Sequence, residues 1–329
     1  MKKVFFFPPC PPNGYENPYS IHYKASLSSF FDVAELDNPP TKVKSLTLFH
    51  YALKSDVFIL NWIENAIYWK FGILQFFLVV FSLRIIRFRN KKIVWMFHNM
   101  NPHEGKSFFS NYITSFLLKN ASLIISHSKD ATAKVRLMAS CQVEYLCHPV
   151  CSHTFDESPN LLTSCDVFIW GSILPYKGVA EFLEKAKESL RNKKIIILGK
   201  CTNPCLKKRI LSLLTPNVVF MDRFASFGEI AAYVSKTQYV LFPYIGDCVS
   251  SSGVLMDTIA MGGGMPVGPD KGAFKDMAEE GACITYKSYE ELFAILEKDA
   301  PRVDMKTFAK KNSWSCFALK LAKLIENEL

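Results

Sequence analysis

The segment LFPYIGDCVSSSGVLMDTIAMGGGMPVG, residues 241–268, contains the order of elements that decides the fold. An apolar stretch typical of a strand ends at Tyr244, and a serine-rich turn leads into an apolar helix that carries one acid, Asp257. Three glycines then end the helix, and Pro266-Val267 begins the next short strand. A strand, a helix and a second strand in this order are typical of an α/β domain with a parallel sheet.

The serine-rich turn is also a candidate phosphate site. Backbone N–H groups at a helix N-terminus are unpaired and carry partial positive charge. Ser251 and Ser252 add hydroxyl groups there, and Gly253 permits close approach of a ligand. Asp257 follows within the first turns, where a carboxylate can accept hydrogen bonds from a ribose diol. A serine N-cap and a glycine C-cap without any ligand would give the same pattern, so this segment alone leaves both interpretations open.

A second segment, GSILPYKGVAEFLEKA at residues 171–186, repeats the pattern and adds a cation. A strand ends at Gly171, a helix begins near Gly178, and Lys177 lies in the turn between them. A lysine at a helix N-terminus adds a full positive charge to an anion site. The alternative is a solvated loop lysine.

The rest of the chain continues the alternation of strands and helices. Continuous apolar runs predict strands that are buried on both faces of a parallel sheet, at residues 4–7, 57–62, 93–98, 123–128, 167–172, 194–199, 218–222 and 239–244. Helices are predicted over 108–118, 179–190 and 314–326, and the polar stretch 151–164 predicts a linker. The sequence therefore predicts an α/β protein with two doubly wound domains.

Composition narrows the classes of function. The 329 residues suit two domains, and the 49% hydrophobic content excludes a disordered chain. A formal net charge of +9 favours an anionic partner such as phosphate groups, nucleic acid or an acidic membrane face. The ten cysteines lack the spacing of a zinc site or disulfide framework, and the N-terminal apolar run is too short for a signal peptide. We therefore expect a cytoplasmic protein with reduced thiols.

Four features follow one another along the chain: the Gly-x5-Lys-Gly pattern from Gly171 to Gly178, the strand that reaches Pro243, the serine loop and the Pro-Val strand. Together they resemble the donor half of GT-B glycosyltransferases, in particular the "glycosyl transferases group 1" family. The resemblance is best over residues 166–268. It implies an acceptor-binding Rossmann-like domain at 1–155, a nucleotide-sugar-binding Rossmann-like domain at 156–310, and a C-terminal helix at 311–329 that crosses back to the first domain. It also implies a hexosyltransferase that retains the configuration of the sugar, as most members of the family do. The expected donor is a UDP- or GDP-linked sugar, and no metal or other cofactor is expected.

The resemblance also assigns donor-binding residues. Lys177 matches the lysine that neutralises the donor diphosphate, Asp257 matches the acid that holds the ribose, and Ser251, Ser252 and Gly253 match the loop around the phosphates. The further donor-binding positions are Gly14, Ser172, Arg223 and Tyr244. Ser172 stands where the family has an arginine, and Val249 stands where the first acid of the Glu-x7-Glu motif belongs.

His98 is the candidate catalytic residue of the first half. It ends a predicted strand, which is where a parallel sheet places ligand-binding groups. The resemblance implies the same, since several glycosyltransferases of this class have a His or His-Asn at this strand end that faces the sugar or activates the acceptor. A pKa near neutrality suits that work. A structural histidine bonded to a backbone carbonyl is the alternative. The expected acceptor-binding residues are Tyr15, Asn99, His103 and Glu104.

The segment 71–83 is uncharged and is followed by a cluster of cations. It is too short to cross a hydrocarbon core, which needs about 20 residues. One interpretation is a buried helix between two strands. The other is an interfacial helix, with Phe76 and Phe77 in the lipid and Arg84, Arg87 and Arg89 at anionic headgroups. The second interpretation predicts a peripheral position on the inner face of the membrane.

The sequence thus predicts an enzyme that moves a sugar from a nucleotide-diphospho-sugar to a saccharide or a polyprenyl-diphosphate-linked glycan, in surface polysaccharide or glycan assembly. No recognisable nucleic-acid-binding module is present, so no nucleic-acid partner is expected. Two alternatives stay open. One is a nucleotide-sugar epimerase of the same architecture, and the other is a catalytically silent binding protein with the GT-B fold.

Overall fold

The computed structural model describes residues 1–9, 17–34, 43–98, 107–150, 164–246, 251–301 and 303–327. The chain divides into two compact units, Met1–Pro149 with Trp314–Leu329, and Val150–Ser313. Each unit contains a six-stranded sheet whose paired strands run parallel. The predicted α/β class with two doubly wound sheets is confirmed.

The sheet of the first unit has the strand order β2-β1-β3-β4-β5-β6. Its strands are β1 Lys3–Phe7, β2 Asp32–Val33, β3 Val57–Asn61, β4 Lys92–Phe97, β5 Leu123–Ser126 and β6 Gln142–Tyr145. The helices that follow the strands are α1 Pro18–Leu27, α2 Lys44–Ala52, α3 Gly72–Phe88, α4 Phe108–Asn120 and α5 Lys129–Arg136. All five residues of β3 are buried, as expected for a strand that helices cover on both faces.

The sheet of the second unit has the strand order β12-β11-β10-β7-β8-β9. Its strands are β7 Cys165–Trp170, β8 Ile195–Leu198, β9 Val218–Met221, β10 Thr237–Leu241, β11 Met265–Pro269 and β12 Ile284–Tyr286. The helices are α6 Val179–Ser189, α7 Pro204–Ser212, α8 Phe227–Lys236, α9 Gly253–Met261, α10 Gly272–Glu279, α11 Tyr289–Leu296 and α12 Met305–Lys311. In each sheet the strands are added first on one side of the starting strand, β1 or β7, and then on the other side. This change of side is the switch point at which a doubly wound sheet opens a crevice at the carboxyl ends of its strands.

The helix α13, Trp314–Asn327, belongs to the first unit although it follows the second along the chain. It packs against α1. The rings of Trp314 and Phe317 lie 5.7 and 5.1 Å from the ring of Tyr23, measured between centroids. Leu321 and Ile325 continue this buried face at helical spacing, so the apolar period seen in the sequence is the face that contacts the first unit.

Several strands are shorter than the sequence predicts. The runs predicted to extend to Trp62, His98 and Tyr244 leave the sheet at Asn61, Phe97 and Leu241. The residues beyond these ends are still largely buried, so hydrophobicity alone does not show where strand pairing stops. The predicted linker at 151–164 lies outside the described residues, apart from Ser164.

The ends of β7 and β8 approach closely because two glycines meet there. Gly199 donates from its N–H to the Met221 carbonyl at 3.1 Å, which ties it to β9. A Cβ at position 199 would lie only 1.8 Å from the carbonyl oxygen of Gly171. Gly171 itself has a φ of +100°, a conformation that other residues rarely adopt. The close approach therefore requires glycine at both positions.

We expect Gly199→Ala to destabilise the second unit by about 3 kcal/mol, because a backbone oxygen cannot move aside as a side chain can. For a unit of this size that corresponds to a fall in Tm of roughly 6–12 °C in a calorimetric scan. Gly253→Ala is the matched control, since a Cβ there has no neighbour within 4 Å. Equal melting temperatures for the two variants would contradict the assignment.

Candidate functional site

Lys177 is the centre of the candidate site in the second unit. It lies on a single 3-10 turn, Pro175–Lys177, between β7 and α6, and its side chain is only 6% exposed. Its Nζ lies 3.1 Å from the point where a Cβ of Gly171 would stand. The nearer side-chain methyl of Val254, in the first turn of α9, lies 3.5 Å from the same point. The glycine therefore makes room for an ammonium group beside the N-terminus of α9.

The Lys177 ammonium has no hydrogen-bond or ion-pair partner in the described part of the chain. Its Nζ lies 5.6 Å from the centroid of the Tyr244 ring. Burial lowers the pKa of Lys177 to about 8, because the charged form loses hydration. A buried charge without a partner is costly, and a bound anion would remove that cost. This environment is therefore suited to an anionic ligand.

The N-terminus of α9 supplies the neutral part of the same site. Ser252 is the N-cap, and its Oγ accepts a hydrogen bond from the Leu255 N–H at 3.3 Å. The buried Tyr244 hydroxyl hydrogen-bonds to the Ser252 side chain, and burial raises the pKa of that hydroxyl. Ser251 is half-buried, and Gly253 is exposed. The serine loop and Tyr244, both predicted as donor-binding residues, thus come together at this helix end.

Asp257 lies on α9 four residues after Gly253, so the two share one face of the helix. The carboxylate is half-buried. Its role as the ribose-binding acid stays a prediction.

Ser172 and Arg223 lie at the carboxyl ends of β7 and β9. Ser172 directly follows Gly171 and is exposed. The exposed Arg223 is paired with Glu229 of α8, with 2.8 Å between Nη1 and Oε2, and no contact joins it to Lys177 among the residues that the structure describes. The role of Arg223 in a base pocket therefore stays a prediction. Five other predicted site residues lie outside the described residues: Gly14, Tyr15, Asn99, His103 and Glu104.

His98 is the centre of a second polar cluster, in the first unit. It directly follows β4 and is 5% exposed. Its Nε2 lies 3.0 Å from Oδ1 of Asn61, the last residue of the neighbouring strand β3. The Trp62 ring stacks on the imidazole with 4.4 Å between centroids and 16° between planes. The partner of Nε2 is thus a side-chain amide and not the backbone carbonyl that a purely structural histidine would use.

The pKa near neutrality that the sequence suggests for His98 is wrong. Burial, together with the nearby His148, lowers the pKa of His98 to about 3. The imidazole is therefore neutral throughout the physiological range. A group with so low a pKa is a weak general base, so hydrogen bonding to a ligand is the role that this environment favours.

Sequence reasoning did not find the other members of the His98 cluster. The Tyr19 hydroxyl lies 2.8 Å from Nε2 of His127, whose Nδ1 lies 2.7 Å from the Leu146 carbonyl oxygen. The sequence does hold a signal for Asn61, since it is a polar residue that ends a fully apolar strand, as His98 does. His127 carries a comparable signal, because it directly follows the buried apolar strand β5 as His98 follows β4. Tyr19 carries none, since it lies on α1 and only the fold brings it to this cluster.

The helix α3 has two different faces. Phe76, which the sequence places in the lipid, is only 6% exposed and packs edge-to-face on Phe109 at 4.9 Å, so that prediction is wrong. Phe77 is 61% exposed, and Ile73 and Phe81 lie on the same outward face. The arginines that follow are exposed as predicted: Arg84, Arg87 and Arg89. The sequence does not distinguish the two faces of the helix, because the buried face and the exposed face are both apolar.

No helix within the described ranges is long and apolar enough to span a membrane. Of the outward cations on and after α3, Arg84 donates a hydrogen bond to the Tyr112 hydroxyl at 2.8 Å. Arg89 donates one to the Ala52 carbonyl at 3.0 Å. An apolar face and a cationic end thus lie next to each other on one exposed helix.

No protein-family model matches the sequence, and no curated protein matches it. Solved structures do match over nearly the whole chain. The Anabaena Alr3699/HepE structure with UDP and glucose aligns with a TM-score of 0.72 at 13% identity, covering 99% of this chain and 100% of that one. Trehalose-6-phosphate synthase OtsA aligns with a TM-score of 0.67 at 9% identity, covering 99% of each chain.

The lipopolysaccharide outer core galactosyltransferase WaaB, without ligand, aligns with a TM-score of 0.67 at 11% identity and covers all of both chains. At these identities the likeness establishes the fold. It agrees with the two parallel sheets and with the helix α13 that belongs to the first unit. The chain therefore has the GT-B glycosyltransferase fold.

Proposed function

We propose that this protein is a glycosyltransferase whose second unit binds the diphosphate of a nucleotide-sugar donor. The observation that carries the proposal is the Lys177 ammonium, buried beside the N-terminus of α9 without an anionic partner among the described residues. A diphosphate supplies the negative charge that this position lacks. Glycosyl transfer releases a nucleoside diphosphate, so the same groups stabilise the leaving group as its charge develops.

The neutral groups around Lys177 define how the donor binds. The Ser251 and Ser252 hydroxyls and the N–H groups of α9 donate to phosphate oxygens, and the Tyr244 hydroxyl supports Ser252. Asp257 accepts hydrogen bonds from the ribose. UDP is the donor nucleotide that we favour over GDP, because the similar HepE structure was solved with UDP and glucose. We further propose transfer of a hexosyl group with retention, which product NMR at the anomeric carbon would test.

An epimerase and a silent binding protein with this fold are the competing functions. The bond from His98 Nε2 to the Asn61 amide and the low pKa of His98 favour transfer, since an epimerase needs groups that move protons readily. A silent protein would bind nucleotide without turnover. Release of UDP that requires an added acceptor supports the transferase, and donor turnover without acceptor supports the epimerase.

We propose a membrane-bound acceptor on the basis of the outward face of α3. Ile73, Phe77 and Phe81 are more than half exposed, and Arg87 follows on the same helix. Apolar side chains beside cations suit the boundary of an anionic bilayer. A polyprenyl-diphosphate-linked glycan would be held at such a boundary, which supports a peripheral enzyme of surface polysaccharide or glycan assembly.

We expect Lys177→Met to weaken UDP binding about 10- to 100-fold, because a charge-assisted hydrogen bond to phosphate contributes about 1.5–3 kcal/mol. Isothermal calorimetry with UDP and with inorganic pyrophosphate checks this. Lys177→Met should weaken both ligands, whereas Asp257→Asn should weaken UDP alone, since pyrophosphate has no ribose.

Lys187→Met is the matched control for the Lys177 variant, because Lys187 is an exposed lysine of α6. It should leave both affinities unchanged. Wild-type protein that binds neither UDP nor GDP, or a Lys177→Met variant with wild-type affinity, would contradict the assigned donor site.

UDP affinity should fall with rising pH. A lysine is charged below its pKa, and the pKa of Lys177 is lowered to about 8 by burial. Its charged fraction in the free protein falls about tenfold between roughly pH 7 and pH 9, and the affinity should fall by a similar factor. Calorimetric titrations across this interval measure the effect. An affinity that stays constant would show that Lys177 does not contact the diphosphate.

The Phe77→Ser/Phe81→Ser double variant should lose most of its binding to anionic vesicles, by about tenfold or more, because two apolar side chains no longer enter the lipid boundary. Co-flotation without detergent measures the bound fraction. Phe224→Ser is the control, since Phe224 is an 80% exposed phenylalanine of the other unit. Wild-type protein that stays at the bottom while the vesicles rise would refute the membrane proposal.

A further inference from the structure

The side-chain amide of Asn61 makes two hydrogen bonds, and only one orientation of the amide satisfies both. Its side chain is fully buried, at the end of β3. The Nδ2 group donates to the Phe7 carbonyl oxygen at 3.0 Å, and Oδ1 faces Nε2 of His98 at 3.0 Å. A carbonyl oxygen can only accept, so the NH₂ end of the amide must face Phe7. The end that faces His98 is therefore the acceptor.

This orientation decides the tautomer of His98. An amide oxygen has no proton to give, so the bond between Asn61 and His98 forms only when Nε2 carries the hydrogen. A neutral imidazole has one N–H, and burial keeps His98 neutral by lowering its pKa. Nδ1 is then the nitrogen with the free lone pair. It has no hydrogen-bond partner within the described ranges.

Trp62 fixes the plane of the same ring. It has a φ of +51°, a left-handed conformation that residues other than glycine rarely adopt. That conformation lets the chain turn directly after β3 while the indole stacks on His98. The edge of the Tyr19 ring meets the imidazole at 5.4 Å and 78°. The imidazole is thus held by the hydrogen bond to Asn61 and by ring contacts with Trp62, Tyr19 and His127.

His127 gives an internal comparison, because it must have the opposite tautomer. Its Nδ1 faces the Leu146 carbonyl oxygen, which only accepts, so Nδ1 carries the hydrogen. Its Nε2 then accepts from the Tyr19 hydroxyl. Both ring nitrogens of His127 have partners inside the protein. His98 is the member of this pair whose second nitrogen has no partner among the described residues.

We infer that Asn61 is a positioning residue that fixes His98 as the Nε2–H tautomer, so that Nδ1 accepts a hydrogen bond from a hydroxyl group of the sugar or of the acceptor. The inference rests on the proposed function and deepens it, since it names the chemical class that His98 recognises. A hydroxyl can donate to Nδ1. A phosphate or carboxylate oxygen cannot, and its charge would be repelled by the lone pair.

The tautomer can be measured directly by long-range ¹H–¹⁵N NMR on the ligand-free full chain labelled with ¹⁵N-histidine. The His98 signals are assigned by their loss in His98→Gln. We expect Nε2 of His98 to give a protonated, pyrrole-type signal and Nδ1 a pyridine-type signal, with the reverse pattern for His127. A protonated Nδ1 at His98 in the wild-type protein would overturn the inference without any Asn61 variant.

The Asn61 variants then test its role. Asn61→Leu removes the acceptor at similar volume, and we expect the His98 signals to move towards a mixture of tautomers. Asn61→Asp offers an acceptor to His98 and a donor to the Phe7 carbonyl only while its carboxyl is protonated, so it should keep the wild-type pattern in spectra recorded at acid pH. Tyr19→Phe, which removes the bond to His127, should leave the His98 signals in place. A wild-type His98 pattern in Asn61→Leu would overturn the role of Asn61.

Transfer activity gives an independent measurement. Asn61→Leu should slow transfer about 10- to 100-fold while UDP affinity stays at its wild-type value, because the donor nucleotide contacts the second unit. Asn61→Asp should recover part of the loss. Since the NMR pattern is read without substrate, failure of the proposed transferase activity and failure of the tautomer assignment are distinguishable. Equal kcat for the leucine variant and the wild type would refute the catalytic consequence.

Discussion

The strands of both sheets pair in parallel and are covered by helices on both faces. Polar side chains are therefore rare within the strands. Such strands are apolar because each side chain meets either a helix or another strand. Charged and hydrogen-bonding side chains therefore gather where the strands end. Lys177 and Ser252 follow strands of one sheet, and His98 and Asn61 lie at strand ends of the other. The hydrophobic requirement of the sheets thus determines where chemistry is possible.

The sequence predicted the sheets well, because a buried parallel strand is a continuous apolar run. It also predicted the helix N-termini beside Lys177 and the serine loop, since a helix start after a strand has a recognisable order of residues. Strand ends were the common error. Trp62 is half-buried and Tyr244 is buried, yet both aromatic residues line the polar clusters and do not pair in the sheet. Local hydrophobicity indicates which residues are buried, and the buried residues extend beyond the end of the strand into the neighbouring polar cluster. Hydrophobicity therefore does not show where strand pairing ends.

Other features depend on contacts that no local pattern encodes. The burial of Phe76 depends on Phe109, which lies 33 positions away on another helix. The low pKa of His98 follows from its enclosure and from His148, and neither is visible at strand β4 alone. Arg223 pairs with Glu229 in the first turn of α8, which follows the loop after β9. Each case needed the tertiary structure because the decisive neighbour comes from a different element.

The position of α13 has a consequence for biosynthesis. Trp314 and Phe317 cover Tyr23 and the ring of Tyr19, yet they are translated after the whole of the second unit. A ribosome that has made residues 1–150 has supplied the complete sheet of the first unit but not the helix that closes it. The second unit, whose strands and helices are contiguous along the chain, can finish folding sooner. The order of completion along the nascent chain is therefore the reverse of the order of synthesis.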